Sequence, residues 1–308
     1  MSEGEGSSGY AALTRPANPI SQAISAALRR PFRAERQEEI GGGCIHRARV
    51  LEGGGERWFV KLNEAAALPL FEAERDGLEA LREAGSLRVP RPLCCGADEG
   101  QAWLVMEPLP LRPLTERADA AAFGRALAAL HRHAGARFGW RRDNFIGATP
   151  QINTENESWP RFFAAARLLP QLRLAADNGH GRTLRDKGER LAEKLAAFFV
   201  DHRPQASLLH GDLWHGNAAM CEGQPAVFDP AVYYGDREAD LAMTELFGGF
   251  PEAFYAAYRE AWPPDAGYET RKTLYALYHV LNHLNLFGRG YLGQAERMID
   301  RLLAELCG

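Results

Sequence analysis

The segment LLHGDLWHGNAAM, residues 208–220, gathers His210, Asp212, Trp214, His215 and Asn217 into one short turn between apolar residues. Four residues separate Asp212 from Asn217, and Asp229 follows twelve residues after Asn217 at the end of the apolar run AVFD. Carboxylate, carboxamide and carboxylate oxygens suit a hard cation. Mg2+ takes one or two such groups and fills its shell with waters and substrate phosphates. The order is that of phosphoryl transfer, with an Asp that accepts a hydroxyl proton, an Asn on Mg2+ and a downstream Asp on Mg2+. Asp212 is the candidate base, and Asn217 and Asp229 are the candidate metal ligands. Each alone also fits a turn: Asp212 as a turn cap, Asn217 as a left-handed residue beside Gly216, Asp229 as an N-cap before Pro230. The constellation, not any single residue, carries the chemistry.

Such chemistry needs a phosphate-binding half, and the upstream sequence supplies one. Gly41, Gly42 and Gly43, then Cys44 and Ile45, form a loop whose backbone can approach phosphates closely. Lys61 lies in the strand RWFVKL, and the helix after it carries Glu74, with Glu72 and Glu64 as rival partners for the Lys61 ammonium.

These residues fix the elements that must hold them. Apolar spacing predicts a helix over 19–30, ended by Pro31, strands over 34–40, 46–51 and 57–62, and a helix over 68–85 closed by Gly85. Strands follow near 92–96 and 102–106. PLPLRPL, after Glu107, reads as a Pro-rich hinge over 107–113. Beyond it helices dominate, over 119–133, 158–176, 184–199, 251–260, 267–287 and 291–306. SLL and PAVF flank a Glu222-Gly223 turn and predict a β-hairpin within the helical half. The expected organisation is a poorly ordered tail over 1–16, a strand-rich lobe over 17–108 and a helical lobe over 109–308, with the ligand between lobes.

Composition excludes other classes. Of 308 residues 46% are apolar and 25% charged, and the net charge of −4 gives no reason for a nucleic-acid or anionic-membrane partner. Five cysteines, odd in number and without a CxxC pair, form neither a disulfide framework nor a zinc pattern. The N-terminus MSEGEGSSGY lacks a signal peptide's basic and apolar regions, and no apolar run reaches membrane-spanning length, so the expected compartment is the cytoplasm.

The strings GGGCI, LVMEPL, DNFIGATPQIN, HGDLWHGN, FDPAVYYGDREADLAM, FGGFPEAFYAAY and LYHVLNHLNLFG together resemble the fructosamine-3-kinase (ketosamine kinase) family from about residue 20 to the C-terminus. The resemblance implies an α+β, two-lobed protein-kinase-like fold, with a small antiparallel β-sheet N-lobe and a larger helical C-lobe. It implies transfer of the ATP γ-phosphate, with Mg2+, to the 3-hydroxyl of a ketosamine, free or on a protein lysine. The unstable product then releases the free amine, which is deglycation. It assigns Lys61, held by Glu74, to the α/β-phosphates, backbone at Glu107 and Leu109 to the adenine, and Met106 to the apolar wall around it. Gly41–Ile45 then cover the phosphates, and Cys44 stands there as a reduced small residue, an inter-chain disulfide being the alternative. Trp214, His215, Asp143, Asn144, Gln151, Tyr234 and Glu238 fall on the acceptor side. Trp214 has core packing as its plain alternative, Asp143 an Asx turn and Glu238 a helix start. His215 departs from the family's small residue at that position. His210 braces the loop, Asp236 and Asp240 serve as cap and brace, and His279, His283 and Asn285 lie on a helix facing the acceptor, not in a zinc set. The chain is expected to be a monomer or homodimer. An aminoglycoside- or choline-type kinase would keep Asp212, Asn217 and Asp229 but not DNFIGATPQ with YYGDRE, and a regulatory pseudokinase would not be expected to keep the base, both metal ligands and the lysine.

Overall fold

A computed structural model describes residues 18–41 and 46–306. The expected tail and the Gly42, Gly43, Cys44 and Ile45 part of the glycine loop lie outside the described residues. The first part of the chain runs α1 (Pro19–Leu28), β1 (Arg36–Ile40), β2 (Arg47–Gly53), β3 (Glu56–Asn63), α2 (Leu68–Ala84), β4 (Pro92–Ala97) and β5 (Ala102–Met106). Its five strands form an antiparallel sheet in the order β1-β2-β3-β5-β4.

Strand alternation decides which residues reach the site. In β3, Trp58, Val60 and Leu62 join Trp103 and Val105 of β5 in a core beneath α1, whose Ile20 and Ile24 are fully buried there. Successive side chains of a strand point to opposite faces. Lys61 therefore emerges on the other face, where Leu104 and Met106 of β5 pack with Phe71, Leu78 and Leu81 of α2. Fully burying a side chain such as Phe71 contributes about 1.5–3 kcal/mol, so the apolar stripe of α2 sets the helix's rotation. That rotation turns Glu74, three residues after Phe71, toward Lys61. α1 stops at Leu28, two residues short of the expected end at residue 30, because Arg29 adopts a left-handed conformation (φ 56°) that caps it.

After β5 the chain continues through β6 (Leu111–Arg112), α3 (Arg117–His131), β7 (Asn144–Ile146), β8 (Thr149–Gln151), α4 (Trp159–Phe163), α5 (Leu169–Asp177) and α6 (Arg182–Glu193). There follow β9 (Ser207–Leu209), β10 (Ala218–Cys221), β11 (Gln224–Val227), β12 (Tyr233–Gly235), α7 (Glu238–Leu246), α8 (Glu252–Ala261), α9 (Tyr268–Phe287) and α10 (Leu292–Glu305). No helix among the described residues is long and apolar enough to cross a membrane.

Two expectations are corrected, the hairpin's pairing and the end of the helix 184–199. The hairpin exists, but PAVF pairs with Ala218–Cys221, not with SLL. SLL pairs antiparallel with Tyr233–Gly235. The predicted helix 158–176 is present without a gap over 159–177, its ladder widened to a π turn over Ala164–Leu168 just before Pro170, which has no N–H to close the regular ladder. The segment 184–199 ends its α-helix at Glu193 and finishes as a 3-10 turn over Leu195–Phe199. α7 is an additional helix.

Candidate active site

The pairing of β9 with β12 brings residues 207–209 alongside 233–235, so the loops that follow β9 and precede β12 meet. His210-Gly211-Asp212 leaves β9, and Ala231 N–H donates to His210 O at 2.9 Å. Gly211 has φ +83°, and a Cβ there would lie 2.0 Å from Ala231 O, so only glycine fits the crossing. Asp240 of α7 accepts N–H bonds from His210 (2.8 Å) and Gly211 (2.9 Å), fixing the backbone immediately before Asp212. Burial would raise the Asp240 carboxyl, but the hydrogen bonds it accepts from His131 and from the Gly211 N–H hold it below its ordinary range. The His210 ring completes the brace. Its Nδ1 accepts Asp212 N–H at 3.2 Å, so Nε2 carries the proton and donates to Phe228 O at 3.0 Å. Burial lowers its pKa and keeps that neutral form.

Asp212 and Asn217 are in contact. Asn217 Nδ2 donates to Asp212 O at 2.9 Å and lies 3.4 Å from Asp212 Oδ2. Its amide nitrogen is thereby committed, and its carbonyl oxygen is the end suited to a hard cation. Burial, with the charges of Asp229 and Asp240 adding to it, pushes the Asp212 carboxyl up to about 7 against the Asn217 bond. A carboxylate with a pKa near neutrality is matched to general-base work.

Asp229 adopts a left-handed φ of 56° at the end of β11 and turns its carboxylate toward the other half of the site. Lys61 Nζ lies 2.5 Å from Asp229 Oδ1 and 2.5 Å from Glu74 Oε1. Burial alone would strip the Lys61 proton, but the charges and hydrogen bonds of Asp229 and Glu74 outweigh it and hold the pKa above its ordinary range. Of the rival partners, Glu72 lies 3.7 Å from Arg142, and Glu64 N–H is received by Asn63 Oδ1. Gly77 of α2 sits against Pro230 and Val232, where an added Cβ would come within 3.2–3.4 Å of their side chains. The helix that aims Glu74 thus packs directly on the segment carrying Asp229. With Asn217 and Asp229 offering only hard oxygens, the donor set fits Mg2+.

The remaining predicted residues separate into groups. Met106 is buried in the α2 face of the sheet. Glu107 forms an ion pair with Arg88, and its N–H already donates to Arg91 O at 2.9 Å, which leaves its carbonyl for a ligand. Leu109 is half-buried and Gly41 exposed. Trp214 is half-buried with its ring over Gly216, where a Cβ would fall 2.4 Å from the indole. His215 is exposed, meets Trp214 edge-on at 4.7 Å and donates from Nδ1 to Phe247 O at 2.9 Å. Asp143, exposed, accepts Asn153 N–H at 2.7 Å in a loop closure. Asn144 and Gln151, cross-strand partners in β7–β8, are buried and donate to Val232 O (2.7 Å) and Ala231 O (3.2 Å). Their side chains are spent on the backbone behind Asp229 and do not form an open acceptor face. Tyr234 packs on Trp140 at 5.4 Å and over Gly135.

Glu238 is a correction. It is fully buried and held by Arg271 at 2.7 and 3.0 Å, so it cannot face an acceptor. Asp236 caps the start of α7 through Glu238 N–H at 3.0 Å and also takes Tyr275 OH at 2.5 Å and His202 at 2.6 Å. His202, Asp236 and Glu238 have metal-like proximity among the described residues, but Arg271 already neutralises the cluster. Asn285 bonds Gln171, and His283 donates from Nδ1 to His279 O within its own helix at 2.8 Å.

Sequence reasoning missed His46. It opens β2 with its ring 5.0 Å from Phe71, and Asn63 Nδ2 donates to its Nδ1 at 2.9 Å. Burial, then the Lys61 charge, pushes its pKa down to about 4, so a neutral imidazole stands near the lysine. The one available signal was its place directly after the glycine loop. Tyr278 was missed as well; its OH donates to Gln151 Oε1 at 2.7 Å and ties α9 to the β7–β8 hairpin.

Comparison with known proteins places this geometry in context. A family model described as fructosamine kinase matches residues 16–305. A protein of Synechocystis named "Probable ketoamine kinase" is 46% identical over 290 residues, covering 94% of this chain and 97% of its own length. The chloroplastic protein-ribulosamine 3-kinase of Arabidopsis thaliana is 41% identical over 87% of this chain and 82% of its own. A crystal structure from Thermobifida fusca described as "putative fructosamine-3-kinase" superposes with a TM-score of 0.82 at 32% identity, covering 94% of this chain and 100% of that one. Aminoglycoside phosphotransferase APH(4)-Ia, at 15% identity and a TM-score of 0.62, shares the fold alone.

Proposed function

Since the chain belongs to the fructosamine kinase family, we propose that it transfers the γ-phosphoryl group of ATP to the 3-hydroxyl of a ketosamine, free or on a protein lysine. The observation that carries this reading is the single cluster in which Lys61 contacts both Glu74 and Asp229 while Asp212 contacts Asn217. In this reading residues 17–108 bind the nucleotide and 109–308 bind the acceptor. Lys61 holds the phosphates, and Asn217 and Asp229 hold Mg2+, which neutralises charge developing on the transferred group. A sugar hydroxyl is far too weak an acid to be ionised beforehand. Asp212 therefore orients it and takes its proton late, and most of the acceleration comes from position and charge. The phosphorylated adduct then decomposes to free the amine, giving deglycation.

The test pairs an acceptor screen with one substitution. Ribulosamines and fructosamines should consume ATP, whereas turnover of kanamycin or choline with neither ketosamine would reassign the acceptor. Asp212→Asn should lose at least about 100-fold in kcat, the general-base contribution, while binding Mg-ATP as before. Undiminished turnover in that variant would remove Asp212 from the role.

A further inference from the structure

We infer that a strip of rings leading outward from Asp212 receives the lysine arm and adjoining peptide carried on the amine side of the ketosamine; this rests on the function proposed above. The strip begins at Trp214, two residues past Asp212, and continues edge-on to His215. His215 is fixed to the carbonyl of Phe247, whose ring lies 4.5 Å from that of His283. The His283 ring in turn lies 5.3 Å from both Phe287 and Tyr291.

The geometry of α9 gives the strip its direction. His279, His283 and Phe287 recur every four residues and share one helix face. Exposure rises along them, from 4% at His279, through half-buried His283, to 57% at Phe287. At the buried end of this face Tyr278, next to His279, donates its OH to Gln151 Oε1 at 2.7 Å. The contacts therefore run from Trp214, through the His215 bond to the Phe247 backbone and the Phe247 and His283 rings, to Phe287, one of the large exposed hydrophobic residues among those described.

The chemistry of the strip fits this occupant. In a ketosamine phosphorylated at its 3-hydroxyl, that hydroxyl must reach Asp212, and the amine substituent must leave the site by some path. On a glycated polypeptide that substituent is the methylene arm of a lysine followed by backbone. Methylenes pack on aromatic faces, and a protonated amine is attracted to an indole or phenyl face. The covering of Phe287 would then occur only when a long substituent is present.

The experiment compares two adducts in the full-length chain: ribulosyl-lysine within a peptide and the ribulosamine of ethanolamine. The readout is the ratio of their kcat/KM values. Phe287→Ser should lower the peptide-to-small ratio about 5–10-fold through KM, the scale of one lost aromatic contact. His215→Ser, which frees Phe247 O, should lower the same ratio. Thermal unfolding of each variant establishes that it is folded, and Phe287 is exposed enough for the fold to survive its loss. An unchanged ratio in both folded variants, or an unaltered chain that accepts only the small adduct, overturns the strip. Turnover of neither adduct overturns the proposed function and the strip with it.

Discussion

Asp240→Asn tests whether the catalytic loop is held where it is by one buried carboxylate. The hydrogen-bond directions there are determined. Arg237 donates to Tyr258 OH at 3.3 Å, so the Tyr258 hydroxyl gives its proton to His131 Nδ1 at 2.8 Å, and His131 Nε2–H faces Asp240 Oδ2 at 3.2 Å. That same oxygen accepts His210 N–H, and Oδ1 accepts Gly211 N–H. An asparagine has one oxygen. It must go where two donors converge, which sets its NH2 against Gly211 N–H. Stranding one buried N–H costs about 1–3 kcal/mol, and exchanging two charge-assisted bonds for neutral ones costs roughly 1 kcal/mol each. The sum, about 3–5 kcal/mol, is a large part of the ~5–15 kcal/mol available to a domain. At ~2–4 °C per kcal/mol, Tm should fall by roughly 6–20 °C. Asp212 directly follows Gly211, so kcat should drop as well, by up to about 100-fold for a displacement of ~1 Å. Thermal unfolding by circular dichroism and an ATP-coupled assay read the two effects. A Tm within about 2 °C of the unaltered protein, with kcat intact, would refute the claim that Asp240 fixes this loop.

Three further outcomes are expected. Gly211→Ala forces a Cβ to 2.0 Å from Ala231 O at a positive φ; it should cost more than about 4 kcal/mol, and a denaturant midpoint unchanged from the parent would contradict the crossing described here. Arg271→Met leaves fully buried Glu238 without its cation and should cost about 3–5 kcal/mol, whereas adding Glu238→Leu should recover much of it; equal Tm values for the single and double variants would show that the pair is not the cause. Both ring nitrogens of His202 lie 2.6 Å from carboxylate oxygens, of Asp236 and Asp265, which requires the imidazolium. Burial opposes that charge, but the Asp236 bond and charges raise the pKa. The contribution is therefore complete below the ordinary histidine pKa of about 6.5 and lost as pH rises through the higher folded value. Tm should decline as the pH rises above about 6.5, and His202→Gln should flatten that decline; an identical slope in the variant would exclude His202 as its source.

The parts of the site legible in the sequence were those fixed by local periodicity. Trp58, Val60 and Leu62 alternate with Phe59 and Lys61, so the face of β3 that carries the lysine follows from the strand alone. Phe71, Leu78 and Leu81 define the buried stripe of α2, and Glu74 lies on its inward side for the same reason. The hairpin went wrong because SLL is apolar but only three residues long, and its partner YYG lies beyond another strand pair. Apolar character says that a strand is buried, not which strand it joins. Pro170 was the available signal for the π turn inside the helix 158–176, since a proline cannot close the regular ladder, but the apolar spacing alone was read.

Glu238 and the pair Asn144 and Gln151 show a different limit. They stand within strings that also contain working residues, and the strings alone do not separate contact from support. The separation comes from where each polar atom finds its partner. Glu238 is satisfied by Arg271, 33 residues later, and Asn144 by a carbonyl 88 residues later. Asp212, by contrast, accepts at its carboxylate, among the described residues, only the long Asn217 contact, and Asp229 reaches across to Lys61 with its side chain 46% exposed. A polar side chain whose bonds are all filled from distant backbone or a buried counter-charge holds the loop. One that keeps an open oxygen at the meeting of the sheet and the helical part is placed to meet a ligand. By that criterion Asp212, Asn217 and Asp229 are the residues the proposed function assigns to the chemistry, while Asn144, Gln151, Asp236, Glu238 and Asp240 are bonded as a frame around them.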